Sequence, residues 1–163
     1  MIIKGKVFKY GDNIDTDQIF PGRYLELTES EDMARHALEG IDPEFTNKVE
    51  PGDIIVGGKN FGCGSSREHA VICLKESGVG AIIAESFARI FYRNGINMGL
   101  PLIEVSNISD IVDEKDPLSI RLEKGIIEKE GTVITEFKKL PENILDIIKS
   151  GGVINYYLNK SND

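Results

Sequence analysis

Apolar residues make Ile2 to Phe8 strand-like, and Asp53 to Val56 and Gly80 to Ala84 are short, nearly unbroken apolar runs expected of buried strands. Between those runs, Ser66 to Glu76 changes to helical spacing, with Cys73 on the apolar face and Gly78 as a stop signal. A helix over Ser86 to Arg93, ending near Asn94-Gly95, and a strand at Leu102 to Val105 continue the alternation. Strand, helix, strand, helix, strand predicts a parallel sheet through the middle of the chain.

The flanks read differently. Tyr10 to Asp17 is a polar turn rich in residues that bond their own backbone, and Pro51-Gly52 marks another turn. Ser30 to Leu38 predicts a short helix, capped by Ser30, with Met33, Ala34, Ala37 and Leu38 at helical spacing. Leu118 to Glu123, Ile126 to Lys129 and Val133 to Phe137 predict short antiparallel strands separated by Lys124-Gly125 and Gly131. Pro141 suits the first turn of a last helix whose face is Ile144, Leu145 and Ile148, before Gly151-Gly152. No repeat, low-complexity tract or linker interrupts this order. The expected architecture is one α/β domain over residues 1–163, with a central mostly parallel sheet and additional antiparallel strands. A chain of 163 residues is long enough to bury about 70% of its unfolded surface.

Charge narrows the partners. The formal net charge of -8 argues against nucleic acid or an acidic membrane surface, both of which need a broad basic face. From Gly57 to Gly95, however, five Lys or Arg face three acids, so this segment carries +2 and the remainder -10. A locally cationic middle suits a small anionic substrate. Two cysteines, Cys63 and Cys73, together with the lack of a signal-like or membrane-length apolar run, fit a reducing cytoplasm. With His36 and His69 they do not make a zinc spacing, and two thiols cannot hold an iron-sulfur cluster in the usual four-thiolate way. No metal ligand set is assigned to this chain.

The densest chemistry lies in Asn60-Phe61-Gly62-Cys63-Gly64-Ser65-Ser66-Arg67-Glu68-His69-Ala70. Gly62 and Gly64 let backbone approach a ligand, and the following helix points its first N–H groups back toward it. Ser65 and Glu68 also match a capping box, which would explain part of the run structurally. Capping needs one hydroxyl, whereas Arg67 adds a planar fork matched to a carboxylate. A P-loop would need Gly-Lys-Ser/Thr after four intervening residues, and a nucleophile elbow would need Gly-x-Ser-x-Gly; neither occurs here. His69 lies near both serines in sequence but has no evident acid partner for a hydrolase triad.

This run, with Asp15-Thr16-Asp17-Gln18-Ile19 and Ser86-Phe87-Ala88-Arg89-Ile90-Phe91-Tyr92-Arg93-Asn94, resembles the signatures of the swivelling domain of the aconitase superfamily. The length resembles its free-standing form, the small subunit of the isopropylmalate dehydratases. The resemblance implies a β/β/α swivelling fold. It also implies a hydro-lyase of leucine biosynthesis that moves a hydroxyl on isopropylmalate by dehydration and rehydration. A separate large subunit would carry the four-iron four-sulfur cluster, with no cofactor bound by this chain.

By the same resemblance Ser65 is the base, Arg67 and Ser66 hold a small dicarboxylate, and Thr16 and Asp17 line the pocket. Arg23 is a further candidate carboxylate contact, or simply a loop cation. Gly62, Gly64, Glu68, His69 and Arg89 are expected in support, and Arg93 in a structural ion pair. The loop after Arg23 reads the variable group of the substrate in relatives. Glu26 would repel a third carboxylate and Leu27 would pack against an isopropyl group, favouring isopropylmalate over homoaconitate. Methylmalate or citraconate chemistry, and a binding module without turnover, are the alternatives.

Overall fold

A computed structural model of the chain describes residues 1–162. Its frame is one seven-stranded sheet. Strands β1 (Ile2–Lys9), β2 (Ile54–Val56), β3 (Ala81–Ala84) and β4 (Leu102–Glu104) are parallel neighbours. Strands β5 (Pro117–Arg121), β6 (Ile126–Lys129) and β7 (Thr132–Glu136) extend the sheet antiparallel, giving the order β4-β3-β2-β1-β5-β6-β7. The sheet is therefore divided evenly between parallel and antiparallel pairings, with the parallel half as expected. Strand β1 joins the halves: Val7 to Lys9 pair with β2, and Ile2 to Lys6 pair with β5.

The burial pattern explains the division. Every residue of β2 and β3 is buried, as parallel strands covered on both faces require, whereas β5 and β7 keep exposed positions and β6 is mostly half-buried. Helix α4 (Glu68–Glu76) connects β2 to β3, and α5 (Arg89–Asn97) connects β3 to β4. Ala70, Val71, Cys73 and Leu74 form the buried face of α4, and full burial of Leu74 alone contributes about 1.5–3 kcal/mol. Helix α4 stops where Gly78 turns to φ +107 and its N–H bonds the Lys75 carbonyl.

Several boundaries differ from expectation. Helix α4 starts at Glu68, not Ser66, because Ser65 to Arg67 continue the glycine loop; Arg67 is the N-cap, and no capping box forms between Ser65 and Glu68. Helix α5 starts at Arg89 and runs through Asn94-Gly95, where a helix end was expected. Gly95 serves packing there, since a Cβ would lie 2.4 Å from Leu102 Cδ1. The expected Ser30 to Leu38 helix shortens to α2 (Ser30–Ala34), capped by Glu29 without a side-chain bond, before a turn with Leu38 at φ +58. Short helices α1 (Thr16–Ile19), α3 (Phe45–Lys48) and α6 (Ile108–Ile111) had too few residues to show a period. Pro141 caps α7 (Glu142–Lys149), and a further helix α8 (Val153–Ser161) follows Gly151-Gly152.

Candidate active site

Three loops leave the carboxyl ends of adjacent parallel strands and bond to one another. After β1, Asn13 N–H donates to the Lys59 carbonyl, while Gly58 N–H after β2 donates to Gly11. Gly62 N–H donates to Ile14 at 2.7 Å, Thr16 N–H to Cys63 at 2.8 Å, and Phe61 N–H to Ser86 at 3.0 Å. The carboxyl ends of strands are where open α/β sheets bind ligands. Here they frame a cleft of about 400 Å³ lined by Thr16, Gly62, Gly64, Ser65, Ser66, Arg67 and Arg89.

The turn predicted at Asp15 to Asp17 supplies one wall. Asp15 accepts from Gln18 N–H and Gln18 Oε1 accepts from Asp15 N–H, so a capping box forms here. This fixes α1 against the glycine loop, and buried Thr16 donates its hydroxyl to the Ser65 carbonyl at 2.8 Å. Thr16 thus holds Ser65 in place. The loop itself needs its glycines: Gly62 has φ +84 and Gly64 φ +98, and a Cβ at Gly62 would lie 2.1 Å from the Phe91 ring.

Ser65 and Ser66 are exposed at the mouth, and among the described residues their hydroxyls have no protein partner. Nor do the backbone N–H groups of Ser65 to His69 have a protein acceptor among the described residues. A row of free donors at the start of a nine-residue helix is an anion-stabilising arrangement. Arg67 is mostly covered, its side chain 18% exposed, and its Nη1 donates to Asp17 Oδ1 at 3.0 Å and to the Phe20 carbonyl at 3.1 Å. Those bonds hold one corner of the guanidinium and leave its other donors for a ligand.

Asp17 is therefore aimed at Arg67 rather than at a bound carboxylate. Its Oδ1 also accepts from Gly22 N–H, and Arg67 first, then that N–H, hold its carboxyl below the ordinary aspartate range. A depressed pKa means that the pair stabilises the fold above the ordinary aspartate range and loosens as pH falls through the lowered value. The Asp17 carboxyl, followed by carbon-detected NMR, should titrate below a free aspartate and move back up in Arg67→Gln; an unmoved titration would remove this assignment.

The remaining expected residues divide. Arg89 lines the cleft at the start of α5, and His69 stacks on Phe20 with ring centroids 5.4 Å apart. Glu68 is exposed in the first turn of α4. Arg23 is not among the cleft-lining residues; its Nη2 donates to Glu39 at 2.9 Å and its guanidinium lies over the Tyr24 ring. Glu26 is exposed and Leu27 is half-buried against the core, and neither lines the cleft. Arg93, expected in an ion pair, forms none among the described residues; it borders an apolar groove instead. No periodic pattern in the sequence predicts the grouping of Glu39 and His36 around Arg23 and Tyr24, because these contacts close across a turn.

No set of three or more His, Cys, Asp or Glu among the described residues could hold a metal ion. Cys73 is fully buried, and burial pushes its thiol well above the ordinary range; its Sγ contacts the Ala70 and Ile19 carbonyls. Only Cys63 is partly accessible, so the thiols of this chain do not fit an iron-sulfur cluster. No helix among the described residues is long and apolar enough to cross a membrane.

The aconitase C-terminal domain model matches residues 2–107, and the chain belongs to that family. Within it, similarity runs to proteins named as small subunits over nearly the whole chain. The isopropylmalate/citramalate isomerase small subunit of Methanocaldococcus jannaschii is 55% identical over 160 residues, covering 98% of this chain and 95% of the relative. A 3-isopropylmalate dehydratase small subunit from Caldanaerobacter subterraneus is 53% identical over 160 residues, covering 97% and 99%. A crystal structure of 3-isopropylmalate dehydratase from Methanocaldococcus jannaschii has a TM-score of 0.92 at 45% identity, covering 99% of this chain and 96% of that one. The fold expected from sequence is the fold of this family.

Proposed function

We propose that this chain is the small subunit of a hydro-lyase that interconverts 2-isopropylmalate and 3-isopropylmalate, a step of leucine biosynthesis. The observation that carries this is the joint placement of Ser65, Ser66 and the free edge of Arg67 in one cleft, beside a row of unpartnered N–H groups. Arg67 binds a substrate carboxylate, Ser66 adds a hydrogen bond, and Ser65 takes the proton from the adjacent carbon. That proton ends on Ser65 Oγ, and the hydroxyl lost from the neighbouring carbon would leave to the Lewis-acidic iron that the large subunit would supply, to be returned at the other carbon. A serine can act so only if its alkoxide is stabilised, and the α4 dipole, the free N–H groups and Arg67 supply positive potential there.

Residues 1–163 act as one swivelling domain against a large subunit, in the cytoplasm, where Cys63 and Cys73 stay reduced. The thiols here do not fit an iron-sulfur cluster, so the four-iron four-sulfur cluster is assigned to the large subunit, and this chain binds no cofactor. Glu26 and Leu27, on the loop after Arg23, select the variable group when the partner closes the site.

The relative at 55% identity acts, by its name, on citramalate as well. That favours a second substrate with a methyl group, because one to a few methylenes in an apolar pocket separate substrates by only about 1–3 kcal/mol each. Mixed with a cognate, cluster-bearing large subunit, the chain should restore isomerisation of isopropylmalate, with slower turnover of citramalate and little of homoaconitate. A preference for homoaconitate would overturn the assignment of Glu26, and failure to turn over any of the three would overturn the function.

A further inference from the structure

We propose that Glu39 is a positioning residue for substrate binding: it holds Arg23, which lies outside the cleft lining but adjoins Gly22 beside the Asp17–Arg67 pair, as the second arm of the carboxylate clamp once the large subunit closes the site. The proposal rests on the function proposed above. Glu39 Oε1 accepts from Arg23 Nη2 at 2.9 Å and from the Tyr24 hydroxyl at 2.7 Å, while Oε2 lies 2.6 Å from His36 Nδ1. Burial opposes ionisation of Glu39, but hydrogen bonds from Tyr24, His36 and Arg23 outweigh it and hold its carboxyl below the ordinary range. An ionised Glu39 can only accept, so His36 Nδ1 is the protonated nitrogen.

The cluster is stiff. The His36 ring stacks on Tyr24 with centroids 3.7 Å apart and 13° between planes, and the Arg23 guanidinium carbon lies 4.7 Å from the Tyr24 ring centroid. Arg23 is thus held by one corner and one face, leaving most of its N–H donors open, as Asp17 and Phe20 leave those of Arg67. The two pairs share a frame. Leu38 N–H donates to Ile19 and Gly40 N–H to Gln18, seating the residues on either side of Glu39 on the backbone of α1, the helix that carries Asp17. A Cβ at Gly40 would come within 2.6 Å of Gln18 Cα, so only glycine allows this contact. Gly22, next to Arg23, in turn bonds Asp17 and lies beside Arg67, where its Cβ would be 3.5 Å from Arg67 Nη2.

Stability alone does not explain this arrangement. An exposed ion pair contributes little to folding, and the Arg23 side chain is 64% exposed, yet three donors converge on one carboxylate to fix it. What the contacts fix is the direction of a cation next to Gly22, the residue whose N–H bonds Asp17 of the Asp17–Arg67 pair.

Steady-state kinetics of the complex with the large subunit test this. Glu39→Gln should raise KM for isopropylmalate about tenfold while kcat stays within about twofold, the signature of lost binding common to ground and transition states. Glu39→Asp should fall between it and wild type. In an Arg23→Gln background, Glu39→Gln should add nothing further, because both changes remove one interaction. Tyr24→Phe, which removes one donor and keeps the ring stack, should give a smaller rise in KM and serves if Glu39→Gln does not fold. An unchanged KM, additive losses in the double variant, or a fall in kcat at constant KM would each overturn the proposal. An inactive wild-type complex would instead overturn the functional assignment on which it rests.

Discussion

Ser65→Ala in the reconstituted complex should lower kcat roughly 100- to 10,000-fold, the range supplied by a positioned acid or base, and leave KM and subunit association near wild type. The expectation follows from geometry. The Ser65 hydroxyl is exposed in the cleft and bonds no protein group among the described residues, so its removal breaks no contact of the fold. Its backbone stays where it is, because the Thr16 hydroxyl holds the carbonyl, which alanine retains. Folding and assembly should therefore be untouched, as a melting curve and gel filtration would register. Retention of full turnover by this variant would remove Ser65 as the base and shift the search to another group at the mouth.

Arg67→Lys should cost kcat/KM about 1.5–3 kcal/mol, roughly 10- to 150-fold, because an ammonium keeps the charge but loses the fork that grips a carboxylate with two parallel bonds. Arg67→Ala should be worse than this. It leaves Asp17, 69% exposed, without its guanidinium, so a negative charge that now orients the clamp would face the incoming carboxylate. Asp17→Asn in the Arg67→Ala background should recover part of the loss, while the same change in wild type should weaken binding. Comparison of kcat/KM across the four proteins measures the coupling directly. Equal activity of the lysine and alanine variants would show that Asp17 exerts no such repulsion.

The sheet was legible where burial is complete. Ile54 to Val56 and Ala81 to Ala84 are buried on both faces, so their apolar runs alone announce parallel strands. The candidate site was legible as a local run, because Gly62, Gly64, Ser65, Ser66 and Arg67 line the cleft as near neighbours in sequence. What escaped is long-range. Arg67 finds Asp17 across 50 positions and Arg23 finds Glu39 across 16, and no spacing rule predicts either pair. Helix limits failed where tertiary contacts overrule propensity: Gly95 reads as a stop, yet it sits inside α5 because a side chain would strike Leu102.

The three loops around the cleft are laced together chiefly by main-chain bonds, Gly58 to Gly11, Asn13 to Lys59, Gly62 to Ile14 and Phe61 to Ser86. Every amino acid except proline brings the same N–H and carbonyl to such a lattice. The scaffold is consequently indifferent to most of the side chains it displays. Evolution, or a protein engineer, can rewrite the loop near Glu26 without first re-solving the problem of holding Ser65 and Arg67 in place.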